Sequence, residues 1–202
     1  MKKTSIILYL FISTITVALG QESDSAHFFQ RLSDAAIELT RDKVKYDPSY
    51  YTIPYPNGDI PAGRGVCTDV VIRAYRKLGI DLQKEVHEDM KTNFSKYPKK
   101  WGMKHTDKNI DHRRVLNLMV FFERHGIKLP ITNKGLDYKP GDIVTWMLPG
   151  NLPHIGIVVN KKSHDKKRYM IVHNIGAGQV MEDCLASWKI TGYYRYKQQQ
   201  NQ

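Results

Sequence analysis

Two cysteines and eight histidines are the residues of this 202-residue chain best suited to nucleophilic or metal chemistry. Cys67 lies in "GRGVCTDVVIRAYRKLGI" (63–80), between a glycine-rich turn and the start of a predicted helix. The unpaired N–H groups and dipole of a helix N-terminus favour the thiolate, the reactive form of cysteine. Gly63 and Gly65 let the backbone turn tightly in front of the sulfur. Arg64 adds positive charge there and Asp69 opposes it, so the net shift of the thiol stays open at this level. The alternative is a disulfide between Cys67 and Cys184. Cys184, in "MEDCLASW", has no histidine beside it and reads as a partly buried structural cysteine.

A cysteine nucleophile needs a base, normally histidine, and a third group to orient that ring. His154 opens "HIGIVVN" after the turn "LPGNLP", and His173 ends "RYMIVHN". Neighbouring strands would bring both to one end of a sheet, facing the cysteine. His154 is then the base. His173 is the preferred orienting group, with Asn174, on the opposite face of the same strand, as its competitor.

The candidates for substrate binding are Tyr55 and Arg64 near the cysteine turn, Asp69 just after it, Asp89 of "VHEDM", and His112 and Arg113 of "NIDHRR". An arginine among them can grip a carboxylate through two parallel hydrogen bonds. The plainer account makes Asp111 a helix cap, the arginines members of surface ion pairs, and Tyr46, Tyr50, Tyr51 and Tyr55 a core wall. No metal and no cofactor is expected, because neither histidine segment has the His-to-His spacing of a helical zinc motif. A metal hydrolase built from His87, His112, His154 and His173 ranks behind the thiol chemistry.

The elements that must position these groups change period along the chain. Apolar residues at helical spacing predict helices over about 24–44 (Phe28, Leu32, Ala35, Ala36, Leu39), 67–78 (Val70, Val71, Ala74, Tyr75) and 112–125 (Val115, Leu118, Phe122). Residues 45–65 read as irregular but packed, and 81–110 as polar and mixed. Four short β-branched and aromatic runs follow: "GDIVTWML", "HIGIVVN", "RYMIVHN" and "ITGYYRY". Helices first and strands later imply an α+β fold with helices packed on an antiparallel sheet.

Residues 1–20 read as a signal peptide: Lys2 and Lys3, an apolar run from Ile6 to Leu19, and a small-residue cleavage site. That run is too short to span a membrane, so the expectation is an exported protein, periplasmic or secreted, with no membrane span. A single domain is expected over 21–202, with a polar frayed tail at 197–202. Two cysteines are too few for a disulfide-stapled scaffold. The formal charge of +11 suits acidic envelope polymers or cell-wall peptide as partners. Nucleic acid does not suit an exported chain without a binding motif. Oligomeric state is not legible.

The cysteine opening a helix, then "YKPGDIVTW" (138–146), "HIGIVV" (154–159) and "MIVHNIGAGQV" (170–180), resembles the NlpC/p60 cysteine peptidases. The resemblance implies a papain-like α+β fold, cleavage of cell-wall stem peptides, and roles for Cys67 as nucleophile, His154 as base and His173 as orienting residue. Val66 before the cysteine and Thr68-Asp69 after it depart from the Asp-Cys-Ser-Gly setting usual there, and "KKSHDKK" lengthens the interval between the histidines. Across nearly the whole mature chain, "RGVCTDVVIRAYRKLGIDLQ", "VHEDM", "NIDHRR" and "TGYYRY" are similar to the bacterial domain of unknown function 1287. The expectation is an exported cysteine peptidase or amidase acting on peptidoglycan stem peptides. The rivals are a non-catalytic envelope-binding module and an acyl or thioester transferase on the same scaffold.

Overall fold

The computed structural model describes residues 24–198; the expected leader and the end of the tail, 199–202, lie outside them. Helix α1 spans 24–39 and buries Phe29, Leu32, Ala36 and Leu39. It ends five residues before the sequence reading placed its end. Thr40, Arg41 and Asp42 donate their amides three residues back in a closing turn, and the chain then enters β1 (Lys45–Tyr46), which pairs in parallel with β2 (Arg64–Gly65). Helix α2 (Cys67–Lys77) follows directly, with Val70, Val71, Ala74 and Tyr75 fully buried.

Helix α3 (Leu82–Asn93) falls inside the stretch read as mixed. Leu82, Val86 and Met90 recur every fourth residue and are fully buried. The Asp81 carboxylate accepts the N–H groups of Gln83 and Lys84 and caps the helix. Helix α4 starts at Val115 rather than 112 and runs to His125, because a short 3-10 turn (Asp111–Arg113) precedes it.

The second half forms one antiparallel sheet in the order β3-β8-β4-β5-β6-β7. Its strands are β3 (Ile127–Lys128), β4 (Ile143–Leu148), β5 (Leu152–Lys162), β6 (Tyr169–His173), β7 (Val180–Glu182) and β8 (Lys189–Arg195). Side chains alternate between the two faces of a strand, and the cores divide accordingly. Ile143, Ile155, Ile157, Val172 and Tyr194 pack with the helices and Cys67. Val144, Trp146, Val158, Ile171 and Tyr193 pack with Cys184 and Leu185 on the other face. The architecture is the expected α+β fold with helices on an antiparallel sheet. The two cysteines are both free and belong to different cores, so the disulfide is not formed.

Candidate active site

The sheet brings His154 and His173 together. His154 begins the well-buried stretch of β5, and His173 closes β6 beside it, fully buried. Gly156 makes the approach possible: a Cβ there would lie 2.7 Å from Ile171 Cγ2 and 3.2 Å from His173 Cβ. His154 Nε2 is 2.8 Å from His173 Nδ1, and His173 Nε2 is 3.0 Å from Glu182 Oε2 on β7. Trp146 and Trp188 flank the first ring, with ring centres 6.0 and 5.9 Å away.

This row sets the tautomers. A carboxylate only accepts, so Glu182 takes the Nε2–H of His173. His173 Nδ1 is then a lone pair and accepts the Nε2–H of His154, which leaves His154 Nδ1 as the free basic nitrogen. Burial, and then the neighbouring His173, push the His154 pKa down to about 3, so its ring is neutral at ordinary pH. Burial also lowers the pKa of His173, against the pull of Glu182.

Cys67 stands at the N-terminus of α2, next to the start of the His154 strand. The N–H of Ile155 reaches its sulfur. Asn174 Nδ2 donates to Gly65 O at 3.1 Å and ties the end of β6 to the cysteine turn. Among the described residues, no hydrogen bond joins the thiol to His154. Burial pushes the Cys67 pKa up to about 12, against the N–H groups of Ile155, Thr68 and Cys67 itself, and the Asp69 charge adds to the rise. The helix N-terminus therefore does not make a resting thiolate here. Desolvation outweighs it. Cys67 borders a hollow of about 420 Å³ walled by Tyr46, Pro48, Trp101, Arg114, Leu116 and Pro153.

The polar candidates separate. Asp69 and Arg113 form a buried two-bond pair (2.9 and 3.0 Å), Asp69 also accepts the Val66 N–H at 2.7 Å, and Arg113, which lines the Cys67 hollow, donates to Ser49 O at 3.1 Å. Their work is to hold the start of α2. Arg64 pairs with Asp47. Asp89 is bound by Arg124 and His125 at a different hollow. His112 is buried with its Nδ1 unpartnered, and burial brings its pKa down to about 3. Tyr55 leans on His87 and Glu88. The tyrosine at the Cys67 hollow is Tyr46 instead, because β1 runs beside β2 and the cysteine turn. Asn174 serves the glycine turn, and the residue touching His154 is His173.

Two residues at the site escaped the sequence reading. Glu182 lies on β7, a three-residue strand whose pairing with β6 at His173–Val180 is what delivers it. Cys184 has no histidine beside it in the sequence, and its sulfur lies 3.6 Å from His173 Nε2 in the fold. The fold supplies a neighbour that local sequence does not show. His173, Glu182 and Cys184 are also the described His, Cys, Asp and Glu residues whose donor atoms gather within 4.8 Å. A metal there would need the Nε2 lone pair that the Glu182 hydrogen bond occupies with a proton.

The family model described as "Domain of unknown function (DUF1287)" matches residues 33–196. A protein of Escherichia coli (strain K12), "Uncharacterized protein YijF", is 48% identical over 165 residues, covering 82% of this chain and 80% of that one. Among solved structures, "Structure of NlpC1 from Trichomonas vaginalis" aligns with a TM-score of 0.44 at 15% identity. That alignment covers 82% of this chain, which spans 44% of the length of that one. The chain belongs to the DUF1287 family.

Proposed function

We propose that this member of the DUF1287 family is an exported cysteine hydrolase that cleaves a peptide or amide bond, with cell-wall stem peptide as its substrate. One observation carries the reading. A proton row, Glu182–His173–His154, ends in a free imidazole nitrogen on the strand that touches Cys67, and Cys67 borders an open hollow. The substrate and the compartment rest on the motif resemblance and on the leader-like 1–20.

In the proposed cycle, substrate enters the hollow and its carbonyl carbon meets the Cys67 sulfur. The thiol proton passes to His154 Nδ1 as the S–C bond forms, so no resting thiolate is required. Hydrogen bonds of this kind commonly tighten only when substrate is bound. The oxyanion is met by the N–H of Cys67. The C–N bond breaks as His154 returns the proton to the leaving amine. Water then gives a proton to His154, attacks the thioester and releases the acid, and the proton goes back to sulfur.

Cys184 supports a second reading, because it is the cysteine in direct contact with a histidine. That contact is to Nε2, whose proton is committed to Glu182, so His173 offers Cys184 no base. The deciding experiment is digestion of purified cell-wall peptide. New amino termini are expected with the wild type and with Cys184→Ser, and none with Cys67→Ala; activity that follows Cys184 instead would overturn the assignment.

A further inference from the structure

Arg114 is the unusual charge at this site. Arg64, Arg73, Arg76, Arg113, Arg124, Arg168 and Arg195 each pair with a carboxylate. Arg114 makes no ion pair among the described residues, although it is half-buried. Its guanidinium lies 4.5 Å from the ring centre of the exposed Trp101, and one of its nitrogens meets the thioether of Met103, a weak acceptor. The acidic residues nearest in sequence bond elsewhere: Asp107 with Tyr50 and Asn109, and Asp111 through Oδ2 with His87 and the Asp107 amide, its buried Oδ1 having no partner among the described residues. A charge taken partly out of water, with Asp111 and Asp107 acting on it only from a distance and no carboxylate in direct contact, gains from a further counter-charge brought against it. A flat guanidinium stacked on an aromatic face is a pre-organised fork for a carboxylate. Both residues wall the hollow that Cys67 borders.

We infer that this hollow is a carboxylate-binding subsite in which Arg114, held against Trp101, grips an acidic group of the substrate. The preferred substrate is therefore an acyl or peptide compound with a free carboxylate close to the bond attacked. The catalytic meaning rests on the nucleophile reading of Cys67, whereas the binding does not. Burial lowers the pKa of the Arg114 guanidinium, against the opposing pull of the Asp111 and Asp107 charges.

The test uses N-acetylglycine and its neutral analogue N-acetylglycinamide, titrated into the purified protein and followed by Trp101 fluorescence, with Trp101→Phe identifying the signal. Saturable binding of the acid is expected, at least tenfold tighter than the amide, and Arg114→Gln should weaken it at least tenfold with the circular dichroism spectrum unchanged. Equal binding of acid and amide, or wild-type binding by Arg114→Gln, overturns the subsite. Should Arg114→Gln fail to fold, Arg114→Lys takes its place; loss of the acid preference by more than about threefold is expected, since a point charge replaces the fork. Iodoacetamide labelling of Cys67 reports separately on the nucleophile. An inert Cys67 with acid-specific binding intact removes the hydrolase reading and leaves the subsite standing.

Discussion

A buried thiol with a pKa near 12 and a buried imidazole with a pKa near 3 are both neutral across the ordinary pH range. In the proposed mechanism Cys67 hands its proton over during attack, and the rate follows the fraction of neutral His154. The sign is set by the depressed histidine pKa. The base is available above about 3 and is lost as pH falls through that value. Labelling of Cys67 is therefore expected to be level between about pH 5 and 8, whereas a free thiol climbs toward its pKa of about 8.5. Glu182→Gln tests the tautomer row. A glutamine amide can donate to His173 Nε2, which reverses both rings and puts the proton on His154 Nδ1. Its labelling should fall roughly 10²-fold at pH 7 and recover the climb of a free thiol. A Glu182→Gln profile that stays level at the wild-type rate would mean that the row does not need the Glu182 charge to set its tautomers.

At the scale of the element, the start of α2 depends on one buried ion pair. The Asp69–Arg113 pair joins α2 to the turn before α4, and Thr68 adds a hydrogen bond to the Arg113 carbonyl. Removing Asp69 leaves a buried guanidinium unpaired and the Val66 N–H without its acceptor. Asp69→Ala is expected to cost about 3–5 kcal/mol in urea unfolding; a loss below about 1 kcal/mol would show that the pair does not hold the element. Local pattern reached many of the elements. Cys67 opening a helix and His154 and His173 on neighbouring strands were legible from glycine turns and β-branched runs. Helix α3 carried a readable signal in Asp81, Leu82, Val86 and Met90, hidden among lysines and acids. β7 did not, since three residues have too little period to read, and with it went Glu182. Arg114 was hidden for another reason: only the fold reveals which partly buried arginine has no carboxylate against it.

For the whole molecule, the cost of this arrangement is sensitivity to acid. His112 and His154 keep pKa values of about 3 in the folded chain, and His173 is lowered as well. Below about pH 6.5 the unfolded chain takes up protons that the folded chain refuses, so stability falls progressively from there to about pH 3. Tm should drop by more than about 10 °C between pH 7 and pH 4, and His112→Gln should flatten that drop. A Tm level over that range would contradict the burial of neutral imidazoles. The cysteines divide along the same lines: the sheet sets Cys67 in the helix-side core beside the hollow and Cys184 in the opposite core behind His173. Their different fates in solution bear on the entire account.

The most direct measurement is peptide-resolved mass spectrometry of iodoacetamide labelling at pH 7, on the wild type, His154→Ala and Cys184→Ser. Cys67 is expected to label well ahead of Cys184, to slow at least tenfold in His154→Ala, and to keep its rate in Cys184→Ser. Cys184 labelling first, or Cys67 indifferent to the loss of His154, would contradict the assignment of Cys67 as nucleophile and His154 as its base.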